Sequence, residues 1–357
     1  MQFCVSMSNY SGIHFRDRDV FHDINGLVYM TLGYIQPKNR ILSYLKYVPA
    51  KSGKWKAGQT RYERIFSGGI GSIIEANLKV PASYLYDDPH FGTKLLEVPK
   101  TEVTNYFNPE EKLQEIVDAG PKDTLEEKIV TLAEAISSTL DIPLSHLGIT
   151  GSVAWGAHDP EWSDININLY GFRESWKLYN NYEQVVKYNA DIKLRRGDEW
   201  VSTMSHLKSR VQHLSNADLL TLYSRRTELI LGKYYLTIMP ILLPPEIPIK
   251  YGSEQYVTIK NSPIDVEMMI EGCDYGIFHP AIYTGHSNHV KELDNIEVTR
   301  IMMYDGSFRG MLREGDTVHI RGTVQRVIYN NTTLDDSYQI MVGTKHGVGN
   351  EFVRIIE

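Results

Sequence analysis

The order of signals between residues 124 and 169 restricts the fold of this chain more than any other feature. Leu125, Ile129, Leu132, Ile136 and Leu140 recur at steps of four and three, which predicts a helix with one apolar face. Thr124 and Glu127 stand at capping-box spacing at its start, and Asp141 with Pro143 marks its end. Leu147-Gly148-Ile149-Thr150 then reads as a strand that runs into Gly151-Ser152. Eleven residues later comes Asp164-Ile165-Asn166-Ile167, the opening of a second strand over 165–169. Alternation along that strand puts the side chains of 164 and 166 on one face. Downstream the text predicts a helix over 174–188, a short strand over 191–194, a helix over 204–225 and a strand over 234–241. Helices and strands alternating in this way predict an α/β domain with a mixed sheet over 121–245.

The chain has 357 residues, more than one ordinary core serves, so further domains are expected on either side. Residues 1–120 read as a β-rich region of short strands and loops, such as Gly26–Leu32 closed by Gly33. Residues 250–357 read as all-β. Val318, Ile320, Gly322 and Val324 alternate with His319, Arg321, Thr323 and Gln325, and a glycine inside such a run marks the strong bending of a small barrel. Further strands are expected within 297–304, 338–343 and 351–356, which together predict a C-terminal barrel of the OB type. The expected class is α+β, multidomain.

Two carboxylates on one face of a strand beside a glycine turn is the arrangement that nucleotide transfer uses. The carboxylates hold magnesium ions that bridge a triphosphate and activate the attacking hydroxyl, and a Gly-Ser turn lets backbone and hydroxyl approach the phosphates closely. Ile149-Thr150-Gly151-Ser152 and Ser163-Asp164-Ile165-Asn166-Ile167 resemble the signature of the nucleotidyltransferase superfamily, to which DNA polymerase beta belongs, at all but one position. Phe15-Arg16-Asp17-Arg18-Asp19, the central domain and Arg313-Glu314-Gly315-Asp316 also resemble an archaeal group of uncharacterised nucleotidyltransferases. The resemblance covers about a third of the chain. It implies an NTP with Mg2+ or Mn2+, Asp164 as the main metal ligand, and Gly151 and Ser152 against the phosphates. It also implies a third carboxylate on a later strand, for which Asp191 is the positional candidate.

The departure is Asn166, where the superfamily carries a second carboxylate. An amide oxygen can ligate but brings no charge, and a unit charge a few ångströms from a metal is worth ~4 kcal/mol at an effective dielectric near 20, or ~10³ in binding. Asp159 and Glu161 in the spacer are possible substitutes, with solvent-facing roles as the alternative. Two readings stay open: transfer of a nucleotide to an unknown acceptor, and non-catalytic binding of nucleotide or nucleic acid on a degenerate transferase fold.

Net charge is -7, so any polyanion site has to be a local patch. Residues 36–64 supply one, with eight basic residues against a single acid, while Tyr44, Tyr47, Trp55 and Tyr62 are interleaved. Lys51, Lys54, Trp55, Lys56 and Arg61 are the candidates for contact with RNA or DNA, by phosphate attraction and base stacking. The competing reading is a solvated loop whose aromatics pack on the core. Ser67–Ser72 is glycine-rich without a phosphate-loop spacing and reads as a turn. Two cysteines, Cys4 and Cys273, permit no disulfide framework, and no apolar run is long enough for a membrane span, so a cytoplasmic protein is expected. His206 with His213, and His279, His286 and His289, lack zinc-ligand spacing.

Overall fold

The computed structural model describes residues 10–356 apart from 289, 291, 292, 294, 331 and 332. Cys4, Met7 and His289 therefore lie outside the described residues. Three sheets carry the architecture.

The first contains β1 (Val20–Asp23), β2 (Val28–Thr31), β3 (Arg40–Pro49), β4 (Trp55–Ala57), β5 (Thr60–Arg64), β6 (Leu85–Asp88), β7 (Thr93–Pro99) and β8 (Val103–Phe107). Its order is β4-β5-β3-β2-β1-β8, with β7 joining β3 to β6. Val28 lies opposite Tyr47 but Tyr29 lies opposite Leu45, which leaves Lys46 as an extra residue in β3. A bulge of this kind re-aims side chains. Lys46 consequently stands over the Tyr47 ring and near the Met30 sulfur, on the side of β3 that meets the second sheet.

The second sheet contains β9 (Leu147–Ile149), β10 (Ile165–Tyr170), β11 (Ile192–Leu194), β12 (Leu229–Leu231) and β13 (Tyr234–Ile241), in the order β11-β12-β13-β10-β9. β10 runs parallel to β13 and antiparallel to β9. The helix Thr124–Leu140 forms over the expected span and buries its predicted apolar stripe against this sheet. Its cap differs from the prediction. Asp123, not Thr124, is the N-cap, and its Oδ1 accepts from the Leu125 and Glu126 N–H groups at 2.9 and 3.0 Å. The helix Pro109–Ala119 adds Leu113 and Ile116 to the same core, so this unit begins before residue 121.

Two predicted helices are each broken in two. The first divides into Phe172–Tyr179 and Tyr182–Val185, and the second into Val201–Arg210 and Asn216–Ser224. The breaks fall at Asn180-Asn181 and at Ser215, residue types that bond their own backbone in competition with the helix. Ser215 and Asp218 form a reciprocal capping box that starts the last of these helices. Trp200, Leu207, Leu214, Leu219 and Leu222 pack on the third sheet rather than the second, so the expected 121–245 unit is not one core.

The third sheet contains β14 (Glu254–Thr258), β15 (Ile264–Tyr275), β16 (Ala281–Ser287), β17 (Arg300–Met303), β18 (Thr317–Tyr329), β19 (Ser337–Val342) and β20 (Phe352–Ile355). β15, β16, β17, β19 and β18 follow one another, and β18 pairs back to β15, closing the expected five-stranded barrel. Only β17 and β19 pair in parallel within it. Val318, Ile320 and Val324 point inward and are fully buried. A Cβ on Gly322 would lie 2.7 Å from the Met341 carbonyl oxygen, which is why the closure takes a glycine. Among the described residues no helix is long and apolar enough to cross a membrane.

Candidate functional site

Asp164 precedes β10, and Asn166 and Asn168 follow on the same face. Register places Thr237 beside Asn166 and Met239 beside Asn168, and directly paired residues share a face. The surface expected to hold metal therefore carries one carboxylate, two amides, a hydroxyl and a thioether. Gly151 has φ +68°, and a Cβ there would come within 3.0 Å of the Asn166 Nδ2. The turn thus sits directly over Asn166, held by the Thr150 N–H donating to the Asn166 carbonyl at 2.9 Å. Ser152 is buried, and its hydroxyl faces the Ser163 hydroxyl 3.5 Å away.

Asp191 is not part of this constellation. It precedes β11 at the far edge of the sheet, three strands from β10, or ~14 Å at the usual strand spacing. Its carboxylate pairs with the Lys128 ammonium at 3.0 Å, and its backbone carbonyl accepts from Gly232. Asp159 caps the following turn by accepting from the Glu161 N–H, and Glu161 reaches out to Lys233 at 3.2 Å. Neither substitutes for the missing charge.

What surrounds Asp164 is positive. Burial raises its pKa, and the fields of Arg64, Lys46 and Arg195 lower it in part. Burial also pushes the Lys46 ammonium down to about 7, assisted by Arg64 and Arg18 and opposed by Asp164. Arg195 stacks on the rings of Trp200 and Tyr235, which fixes its guanidinium on this side of the sheet. Among the described residues Asp164 forms no ion pair with these cations, and Arg195 is instead paired with Glu228 at 3.2 Å.

The basic stretch meets the Gly-Ser segment here. Trp55 lies 5.1 Å from Trp162 edge to face, and the Lys54 ammonium stands 3.7 Å over the Trp162 ring. Gly53, Lys54, Trp55, Arg64 and Phe66 line a cleft beside them. Tyr44, Tyr47 and Tyr62, by contrast, are core residues, and the last two pack on Trp155 just after the Gly-Ser turn. Lys56 and Arg61 pair across the β4–β5 hairpin on the face opposite Trp55 and Tyr62, and Lys51 is exposed in the turn between β3 and β4. Of the five residues proposed for nucleic acid, Lys54 and Trp55 reach the site. Lys46 and Arg64 belong to the basic stretch but not to the five candidates chosen from it. Arg195 with Arg196 reads in sequence as a pair able to meet a phosphate but more often surface, and Trp162 carries no such signal. The β3 bulge that presents Lys46 leaves no composition signal, and Trp162 lay inside a spacer read only for its length.

Magnesium takes hard oxygen ligands and neutralising carboxylates. One carboxylate followed on its strand face by two neutral amides does not fit a pair of such ions. A second grouping, Asp123, Glu126 and His158, brings potential ligand atoms within 4.8 Å of one another. Its bonds already account for it. Asp123 caps the helix and holds His158 Nε2 at 2.9 Å, while Glu126 accepts from the Lys122 N–H at 2.7 Å.

An uncharacterised protein of Methanocaldococcus jannaschii is 23% identical to this chain over 351 residues, which span 95% of this chain and 98% of that protein. No protein-family model matches the chain, and no solved structure matches it.

Proposed function

We propose that the chain binds the phosphates of a nucleotide, free or within RNA or DNA, on a nucleotidyltransferase-type domain that has lost metal-dependent transfer. The observation that carries this reading is that the strand face expected to hold metal has a single carboxylate, Asp164, followed by the amides Asn166 and Asn168, in the field of Lys46 and Arg64. Positive charge near a single carboxylate favours a phosphate and opposes a divalent ion. The transferase-type reading of the domain is supported by the helix–strand–turn–strand order, the positive-φ Gly151 and the shared face of 164 and 166. Lys54, Trp55 and Trp162 add a cation and ring surfaces beside the phosphate position. The closed C-terminal barrel supports an OB-like module by fold analogy. Active transfer from an NTP with Mg2+ or Mn2+ is the second reading, and the intact Gly151-Ser152 turn with Asp164 favours it.

Equilibrium dialysis with ATP separates the two, run in EDTA and again with Mg2+ or Mn2+, alongside an assay of label incorporation into RNA, DNA and protein acceptors. Binding is expected to persist in EDTA without incorporation. Asp164→Asn removes a negative charge from the phosphate position, and relief of ~1 kcal/mol at ~8 Å and an intermediate dielectric tightens binding ~5-fold. Incorporation that vanishes in Asp164→Ala would establish a transferase despite Asn166.

A further inference from the structure

A chamber of 640 Å³ opens where the N-terminal sheet, the helix Val201–Arg210 and the barrel meet. It is distinct from the cleft beside Lys54 and Trp55, though Phe66 and Ser67 line both. Leu42, Phe66, Ile70, Ile73, Phe91 and Leu95 give it an apolar wall. Buried polar atoms without partners also face it: the Ser43 hydroxyl, both ring nitrogens of His279 and the Tyr304 hydroxyl. Ser43 and His279 are 1% and 2% exposed. Such orphaned groups are rare in folded proteins, and several of them around one cavity mark an expected occupant. Water alone would satisfy them, but ~20 waters in this volume would also wet the Leu and Ile wall.

The charge of the lining specifies the occupant further. Five lysines and arginines and three histidines stand against one acid, Asp305, which Arg210 already engages. The positive end is built around Gly68-Gly69. The sequence reading took Ser67–Ser72 as a turn, but a helix of eight residues, Gly69–Ala76, starts there with no side-chain cap. Gly68 and Gly69 have φ +116° and +71°. A Cβ on Gly68 would lie 3.2 Å from His206 Nε2, and one on Gly69 would collide with the Arg210 guanidinium. The positive φ values favour glycine at both positions, and the ends of the His206 and Arg210 side chains lie against them. Lys345 and His346 line the same chamber, and Val348 just beyond them comes against Gly71.

We propose that this chamber binds an amphipathic organic anion, with its phosphate or carboxylate head at Gly68-Gly69, His206, Arg210 and Lys345 and its apolar body along Ile70, Ile73 and Leu95. The uncapped N–H groups and the helix dipole favour the anionic head. The tail accounts for the apolar wall that water does not. Nothing in this assignment depends on the function of the Asp164 cleft.

Calorimetry on the full chain tests it with decyl phosphate, decanol and inorganic phosphate as probes. Decyl phosphate is expected to bind saturably and at least ~10-fold tighter than either fragment, as one charge-assisted contact and a buried tail require. Lys345→Ala and His206→Ala change exposed side chains and should each weaken it ~3-fold or more. Ile73→Trp puts a bulky ring in the path of the tail and should weaken binding ~10-fold or more, the ~1–3 kcal/mol that overpacking costs, while the circular dichroism spectrum stays unchanged. No saturable heat up to ~1 mM decyl phosphate, a level set by millimolar affinities being marginal, would overturn the proposal. So would equal affinity for decanol, or undiminished binding to a folded Ile73→Trp protein, and the chamber would then hold water only.

Discussion

Asp164 and Asn166 share a face of β10 because strand alternation puts them there, and alternation is readable from a single stretch of text. Asp191 was misplaced because strand order is a long-range property: its own strand is real, but β12 and β13 intervene between it and β10. Individual buried acids raise a different question, that of pH. Asp19 is completely buried, accepts from the Arg16 N–H at 2.9 Å and the Tyr106 hydroxyl at 3.0 Å, and leaves Oδ1 without a partner. Burial pushes its carboxyl up to about 7 against an ordinary 3.8, and the Arg16 charge offsets only part of that. Below pH 3.8 the group is protonated in both folded and unfolded chains, and its contribution to stability is fully present. Between 3.8 and 7 the unfolded chain releases the proton first, so stability falls as pH rises, by at most ~1.4 kcal/mol per pH unit. Urea midpoints measured from pH 4.5 to 8 should show Asp19→Asn with a flatter decline than the natural protein. Parallel curves would assign the decline to other groups.

Local elements were largely legible. The helix Thr124–Leu140, the strands flanking Gly151-Ser152 and the inward stripe of β18 follow from periodicity alone. The errors came where local competition decides. The capping box expected at Thr124 yields to Asp123, whose carboxylate is charged, held below its ordinary pKa and bonded to His158. Burial acts against that shift, and the Glu126 N–H, His158 and the Leu125 N–H outweigh it. The element therefore depends on residue 123. Asp123→Ala should cost ~1–2 kcal/mol in urea unfolding, as loss of an N-cap does, whereas Thr124→Ala should stay within ~0.5 kcal/mol. Equal losses at the two positions would restore the predicted cap. At the breaks polar side chains bond backbone, Asn181 donating to the Lys177 carbonyl and Ser215 accepting from the Asp218 N–H, which an apolar period across 204–225 conceals.

At the scale of the molecule the boundaries seen in sequence texture do not coincide with separate cores. One cluster draws Tyr34 from the connection between β2 and β3, Leu42 from β3, Leu242 from just after β13, Phe278 from the connection between β15 and β16, and Ile282 and Met302 from the barrel strands. Phe278 is completely buried and stacks on Phe172 with ring centroids 5.6 Å apart. Tyr34 N–H donates to the His279 carbonyl at 3.0 Å, and Arg16 forms a two-bond pair with Glu110 while its guanidinium covers the Tyr170 ring. Composition could not show this, because the contacts join residues more than ninety positions apart. Interlocked cores unfold together, so a single thermal transition is expected by both far-ultraviolet dichroism and tryptophan fluorescence. Trp155 and Trp200 sit in different clusters, and together they make fluorescence a report on both. Phe278→Ala removes a ring at the junction and should destabilise by ~3–5 kcal/mol, with both probes shifting to the same lower midpoint. If only one signal moved, or the transition split in two, the sheets would be independent domains and the shared chamber between them an assembly of loosely coupled parts.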